Sequence, residues 1–388
     1  MEKSSLQFVE LSLQEYATFE ASSKQANLMQ ATPRAELRKR MGYKTHFLGV
    51  KDGKKVVAAG LLVVRGREAW FQHGPLADYS NLHVLNVFLT GALAFCKSNN
   101  YYELEVFPPV LLATHQIDGS TIQAFDAKPI FKLFSNLGFT HLGFTQKTEF
   151  KALRWMFVKD LASFNNMREA ELSFNASTRK KFHQTERNLD IYVLKQKSEL
   201  SNWLAPLQES NARNHIPTRS LKYFEDIWDL FGENATFVEA RLKGTNQIVS
   251  SELDFWNANE SLAFLAGTIE SLKKYNGITA IKGWQLAECL RRGLTRANFY
   301  GLDGVFSMNN PLLRAKSGFG GIVEEYIGGF RYVLNPIRLR TSNLTRRIAS
   351  KLKRTRSWFL PKLPNPNIVN FGKAMIIVVF CLLPRFLT

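Results

Sequence analysis

The chain has 388 residues, 45% hydrophobic and 22% charged, which is enough apolar content for two cores and too much for a disordered polymer. Its formal charge of +18 is lopsided: no acidic residue follows Glu325, and the last 63 positions hold twelve Lys and Arg, leaving about +6 on everything before them. Three scattered cysteines, seven histidines without ligand-like spacing, and no run of the roughly 18 to 20 apolar residues a span requires argue against a disulfide scaffold, a metal site and a membrane-crossing helix.

In chain order, Met1–Ser5 lacks the apolar stretch of a secretory leader, so a cytoplasmic protein with reduced thiols is expected. Met29–Arg40 (MQATPRAELRKR) crowds Arg34, Arg38 and Arg40 together, and as isolated charges these read as surface residues. His46–Val50 reads as a strand, Lys51–Lys55 as a charged turn, Val56–Val64 and Ala69–Gln72 as strands, His83–Lys97 as a helix and Tyr101–Phe107 as a further strand. The same order then recurs: Thr236–Arg241, a turn at Lys243–Asn246, Ile248–Phe255, Ser261–Leu265, a helix at Thr279–Arg292, and Asn298–Gly301. Phe47 and Phe237 stand 190 positions apart, and Gly74 and Gly267 stand 193 apart, which marks a duplicated α/β unit. Two fused copies leave a cleft at their junction, a common place for a ligand, so a two-lobed enzyme follows.

Two further segments carry chemistry-bearing residues. Asn211–Phe224 (NARNHIPTRSLKYF) puts Arg213, His215, Arg219 and Lys222 around a turn, and arginine suits bidentate phosphate recognition; a solvated basic loop reads equally well. Phe299–Phe330 is glycine-dense and holds Lys316 between a short helical stretch and Gly318, Gly320 and Gly321, where backbone can approach a ligand closely. No Gly-x-Ser-x-Gly, Walker-type or dinucleotide fingerprint occurs, so nucleotide hydrolysis and hydride transfer have no support, and no cofactor is implied.

The tail is an electrostatic device. Asn335–Phe359 spaces Leu339, Leu344, Ile348 and Leu352 at helical intervals among basic residues, and ten apolar residues follow at Ala374–Leu383. A cationic amphipathic helix suits an anionic membrane surface, at about 1 kcal/mol per basic residue; RNA phosphates would attract the same charges.

Taken together, Gly74-Pro75-Leu76 with Asp78, then Asn211–Phe224, Tyr300-Gly301 through Lys316, and Glu325-Tyr326-Ile327-Gly328 resemble the Fem/MurM (FemABX) family of peptidoglycan aminoacyltransferases, over about residues 8–336. That resemblance implies two tandem acetyltransferase-like (GNAT-like) domains: residues 1–150, rejoined by 318–337 after a second domain at 151–317, with 338–388 as the basic tail. It implies transfer of an amino acid from aminoacyl-tRNA to a muropeptide precursor, lipid-linked or nucleotide-linked, building the interpeptide branch. By position, Arg38 and Arg219, with Tyr223 close by, are expected to hold the precursor's diphosphate, and Lys316 to stabilise the oxyanion of the reacting ester. The expected protein is a monomer that works at the inner face of the membrane through its tail. Departures from the family pattern include Phe107-Pro108, where relatives often carry Asp-Pro, and the lack of room between Val238 and Leu265 for a helical hairpin. tRNA contact is then expected from the body or the tail. Two other classes stay open: an RNA- or membrane-binding scaffold without transfer activity, and an acyl-CoA-dependent N-acyltransferase. Neither copy shows a clear pyrophosphate loop before its helix, which speaks against the second.

Overall fold

In the computed structural model, which describes residues 6–147, 151 and 154–341, the duplication is a repeated order of elements. The first copy runs β1 (Leu6–Glu10), α1 (Leu13–Ser22), α2 (Thr32–Arg40), β2 (Lys44–Asp52), β3 (Lys55–Arg65) and β4 (Glu68–Gln72). After the two-residue β5 (Leu76–Ala77), α3 (Leu82–Ser98) crosses back and delivers β6 (Glu103–Phe107) parallel to β4. Next come β7 (Leu111–His115), β8 (Thr121–Ala124), α4 (Lys128–Asn136), β9 (Thr140–His141), β10 (Trp155–Asp160), α5 (Met167–Leu172) and α6 (Ala176–Asn188). The second copy runs β11 (Leu189–Val193), α7 (Leu200–Arg213), α8 (Leu221–Phe231), β12 (Ala235–Leu242), β13 (Ile248–Trp256) and β14 (Ser261–Thr268). Here α9 (Gly277–Arg291) makes the crossover and β15 (Arg296–Gly301) pairs parallel to β14. The chain continues through α10 (Pro311–Ser317), β16 (Ile322–Tyr326) and β17 (Phe330–Val333).

Each crossover helix is positioned by its own pattern. In α3, Val84, Leu85, Phe88, Leu89, Ala92 and Cys96 fall on one buried face, and the Asn81 side chain caps the first turn by accepting from Val84 N at 3.1 Å. Opposite faces of the first sheet are covered separately: Leu62, Val64 and Phe71 pack toward α3, while Leu61, Val63 and Trp70 pack toward Tyr16 of α1. In the second sheet, fully buried Trp203 of α7 packs on Phe237 and Leu253, and its indole N–H lies 3.1 Å from the Val238 carbonyl and 3.2 Å from that of Glu252. A sheet buried on both faces is the consequence.

The strands do not stay with their own copy. One sheet has the order β1-β2-β3-β4-β6-β17-β9, with β5 on β3, and the other the order β11-β12-β13-β14-β15-β10-β16-β7-β8. Of the segment 318–337, β17 pairs with β6 in the first sheet, while β16 sits in the second between β10 and β7, with Val323 opposite both Phe157 and His115. All of these strands belong to one compact unit, Met1–Pro336. Most of the basic tail, from Ser342 onward, lies outside the described residues.

Helix α7 comes unusually close to β14. A Cβ placed on Gly267 would lie 2.4 Å from Leu207 Cα, a clash with backbone that no rotamer change relieves. Gly267→Ala is expected to cost roughly 1–3 kcal/mol, the range of an overpacked core. Denaturant titration of the purified variant measures it, and an unchanged midpoint would contradict the close approach.

Candidate functional site

Helix α2 begins after Ala31 with Pro33 in its first turn, and the four-residue spacing of Arg34 and Arg38 puts both guanidiniums on one face. That face packs against α8 and the first sheet, so Arg34 is 4% exposed and Arg38 2%. As isolated charges both read as surface residues, and the structure corrects that reading: α2 buries its basic face. Arg40, one step around the helix, remains accessible and bonds Asp226 of α8 at 2.7 Å, an oxygen that Lys222 also approaches to 2.7 Å. Burial alone would raise the Asp226 pKa, but Lys222 and Arg40 hold it below the ordinary carboxylate value. This carboxylate joins α2 of the first copy to α8 of the second.

Between them opens a cavity of about 280 Å³ lined by Arg34, Arg38, Asn211, Arg219, Tyr223, Phe264 and Tyr300, among others, with no carboxylate among its described lining residues. The three binding residues expected from the sequence, Arg38, Arg219 and Tyr223, therefore share one wall. Arg38 donates to Gln72 Oε1 at 3.3 Å, and its guanidinium carbon lies 5.3 Å from the Tyr43 ring centre; Arg219 lies over the Tyr223 ring at 5.4 Å. Burial, with Arg34 adding repulsion, pushes the Arg38 pKa down to about 9. Two buried donors of Arg34, Nε and Nη1, have no hydrogen-bond partner among the described residues. Arg34 also lies 5.9 Å from the Phe264 ring. Converging guanidiniums in a part-apolar cavity make a site for an anion with several oxygens. Of the other cations in Asn211–Phe224, Arg213 turns to Glu209, Glu270 and the Thr268 carbonyl, and Lys222 to Asp226. His215 is exposed with a left-handed backbone (φ 55°).

Lys316 stands on the last turn of α10, a helix capped by Asn310, whose side-chain oxygen accepts from Leu312 N and Leu313 N. Its ammonium donates to the carbonyls of Gly301 at 2.7 Å and Tyr300 at 3.1 Å. Tyr300 has φ 68°, a conformation that costs a non-glycine residue about 1–3 kcal/mol. The Lys316 bonds and one from Tyr300 N to Asn298 Oδ1 at 2.8 Å hold it there. Burial, then repulsion from Lys282 partly offset by Glu252, pushes the Lys316 pKa down to about 7. Lys316 thus braces the Tyr300 wall of the arginine cavity. On the other side of Tyr300 lies a second cavity of about 200 Å³, bounded by Asn27–Met29, His73, Asn298 and Tyr326. There Arg296 is clamped by Glu260 at 2.8 Å and Glu324 at 2.5 Å. Tyr300, Phe264 and Arg296 were not among the expected site residues, and Arg34 was named only as a surface charge. Among the described residues no group of three or more His, Cys, Asp or Glu side chains is placed to hold a metal.

Two copies of an antiparallel ribbon closed by a helix and a parallel strand, joined over a cation-lined cavity, define a tandem GNAT-like α/β protein. The chain belongs to the FemAB family, whose model matches residues 11–245 and 239–347. It is similar to the aminoacyltransferase FemB of Staphylococcus epidermidis (strain ATCC 12228 / FDA PCI 1200), with 25% identity over 428 residues covering 90% of this chain and 100% of that one. Its fold is similar to the crystal structure of FemX, with a TM-score of 0.74 at 18% identity over 86% of this chain and 99% of that one. It is also similar to a tandem GNAT protein from the clavulanic acid biosynthesis pathway, with a TM-score of 0.52 at 12% identity over 85% and 99% of the two chains.

An unsatisfied buried donor costs about 1–3 kcal/mol. Arg34→Met is therefore expected to leave the ligand-free protein at least as stable, while shrinking the rise in Tm that inorganic diphosphate gives the parent. A marked drop in the ligand-free Tm, or an equal diphosphate response, would show that Arg34 serves packing and not the anion.

Proposed function

We propose that this protein transfers an amino acid from an alanyl-, seryl- or glycyl-tRNA to an amine on the stem peptide of a peptidoglycan precursor. The observation that carries this reading is the shared wall: Tyr300 lines the arginine cavity with its ring and is held through its carbonyl by Lys316. A diphosphate site and a fixed ammonium are thereby set one residue apart. Arg38 and Arg219, flanked by Tyr223, would hold the precursor's diphosphate. The acceptor amine attacks the ester carbonyl carbon; a C–N bond forms and negative charge gathers on the carbonyl oxygen, which returns to C=O as the C–O bond to the ribose breaks, the ribose oxygen taking up the proton that the nitrogen gives up. Lys316 as a cation stabilises the oxyanion. No covalent enzyme intermediate is required, because the aminoacyl ester is already activated.

Lys316 has its pKa below the ordinary amine value, so it is charged below about pH 7 and loses that charge above it. The acceptor amine, with a free value of about 10.4, becomes competent as pH rises. The product of charged Lys316 and neutral amine therefore rises with pH up to about 7 and is level from there to about 10.4, so the acid-side break in kcat/KM reports Lys316. Reactions with separately charged tRNAs and with lipid-linked and nucleotide-linked precursors test the assignment. Lys316→Met is expected to lower turnover about 10²–10³-fold, and Arg219→Ala chiefly to raise the acceptor KM. Normal transfer in both variants would favour a binding scaffold, and transfer from acyl-CoA alone would favour an N-acyltransferase.

The acid-free sequence after Glu325 supports a peripheral place at the inner membrane face, with a lipid-linked acceptor. RNA would account for its charge but not for the ten apolar residues at Ala374–Leu383. Truncation after Asn335 is expected to abolish flotation with phosphatidylglycerol vesicles while sparing transfer to a soluble acceptor. Equal flotation of both forms, or none at low salt, would assign the tail to tRNA.

A further inference from the structure

A second set of charged groups lies behind the strand that Lys316 grips. Glu252 and Asp254 alternate with Leu253 along β13 and so point to the same face, which α9 covers. Both are fully buried, and Lys282 of α9 is 6% exposed. Lys282 Nζ donates to Glu252 Oε1 at 2.8 Å and to Gln285 Oε1 at 3.2 Å, and lies 4.8 Å from the centre of the Phe299 ring, one residue before Tyr300. Beyond this pair, Glu252 Oε2 and both Asp254 oxygens have no donor among the described residues. Side by side without donors, two ionised carboxylates would repel in a low dielectric, whereas a single proton between them satisfies both. Burial and the neighbouring Glu252 push the Asp254 pKa well above the usual carboxylate value.

We propose that Lys282, Glu252 and Asp254 form a buried positioning unit that shares one proton between its carboxyls and fixes the charge Lys316 carries during transfer. This rests on the role given to Lys316 above. The groups facing Lys316 come from three elements. Lys282 of α9 opposes its charge and Glu252 of β13 supports it. Tyr300 of β15 offers Lys316 its backbone carbonyl, while its phenol, whose pKa burial raises to about 12, interacts instead with Arg34, Tyr223 and Arg38. Behind them, the Cys289 thiol of α9 is likewise raised to about 12 and stays uncharged. A net-neutral unit leaves Lys316 able to hold its proton near neutrality; an excess of positive charge in the unit would drive that proton off.

The test reads Lys316 directly, by NMR titration of its ammonium in protein with labelled lysine, the signal being assigned by its loss in Lys316→Arg. Glu252→Gln leaves Lys282 unopposed and is expected to move the Lys316 titration down by about one pH unit, carrying the acid-side break of kcat/KM with it. Lys282→Met is expected to move both upward, and the double variant to return both toward the parent. The shared proton is read separately, as an infrared carbonyl band of a protonated carboxyl that persists at pH 8 and disappears in Asp254→Asn. If the Lys316 titration ignores Glu252→Gln and Lys282→Met, or no protonated carboxyl is present at pH 8, the proposal fails. Should Glu252→Gln not fold, Lys282→Met and the infrared band still decide. Titrations that move as stated in a protein that transfers nothing would overturn the proposed function and leave the unit standing.

Discussion

A buried cationic donor without a partner is a standing demand for negative charge, and Arg34 is one: its Nε and Nη1 have no hydrogen-bond partner among the described residues. In its cavity Arg34 lies beside Arg38 with no acid on the described lining, so an anion brought from outside would satisfy the two open Arg34 donors. At Lys316 the ammonium has two neutral carbonyls for partners, and its nearest full charges are one of each sign. Desolvation weakens each charge in the resting protein, and the same desolvation strengthens its hold on an anion that arrives or develops there. Cost at rest and the capacity to hold an anion thus have one origin.

The duplication explains how both cations reach the same place. Helix α2 of one copy lies on α8 of the other, joined through Asp226, and this sets the first copy's arginines against the second copy's loop and strand. Tyr300 is the hinge point of the arrangement in a static sense, with its ring in one cavity wall, its carbonyl under Lys316 and its backbone in a region tyrosine seldom occupies. The strain is held by neighbouring hydrogen bonds, from Tyr300 N to Asn298 and from Lys316 to the Tyr300 carbonyl.

The sequence made the repeat legible because apolar periodicity is read locally: strands at 46–50 and 236–241 and crossover helices at 83–97 and 279–292 appear in the structure, mostly a residue or two longer. Strand exchange left no such mark. The four residues of β8 are all exposed and β9 has only two, so neither carries an inward-facing pattern. Arg34 was hidden by the rule that lone arginines face water, although its four-residue spacing to Arg38 was the available signal. Glu252 and Asp254 were hidden by alternation itself. In Ser-Glu-Leu-Asp-Phe the period of two turns Leu253 and Phe255 to the α7 side and the acids away from it, and only the crossover of α9 makes that second face an interior.

The exchanged strands also set an order in which the molecule can be made. The first sheet receives β17 between β6 and β9 only when residues 330–333 have been synthesised, more than 220 positions after Phe107. While the ribosome works through the second copy, the buried residues of β6 have an unfilled neighbour and an open edge. Completion by such distant pairing is slow and leaves apolar surface exposed meanwhile. For that interval the nascent chain carries an open apolar strand edge, and the first copy cannot close as a finished lobe before the second has been made.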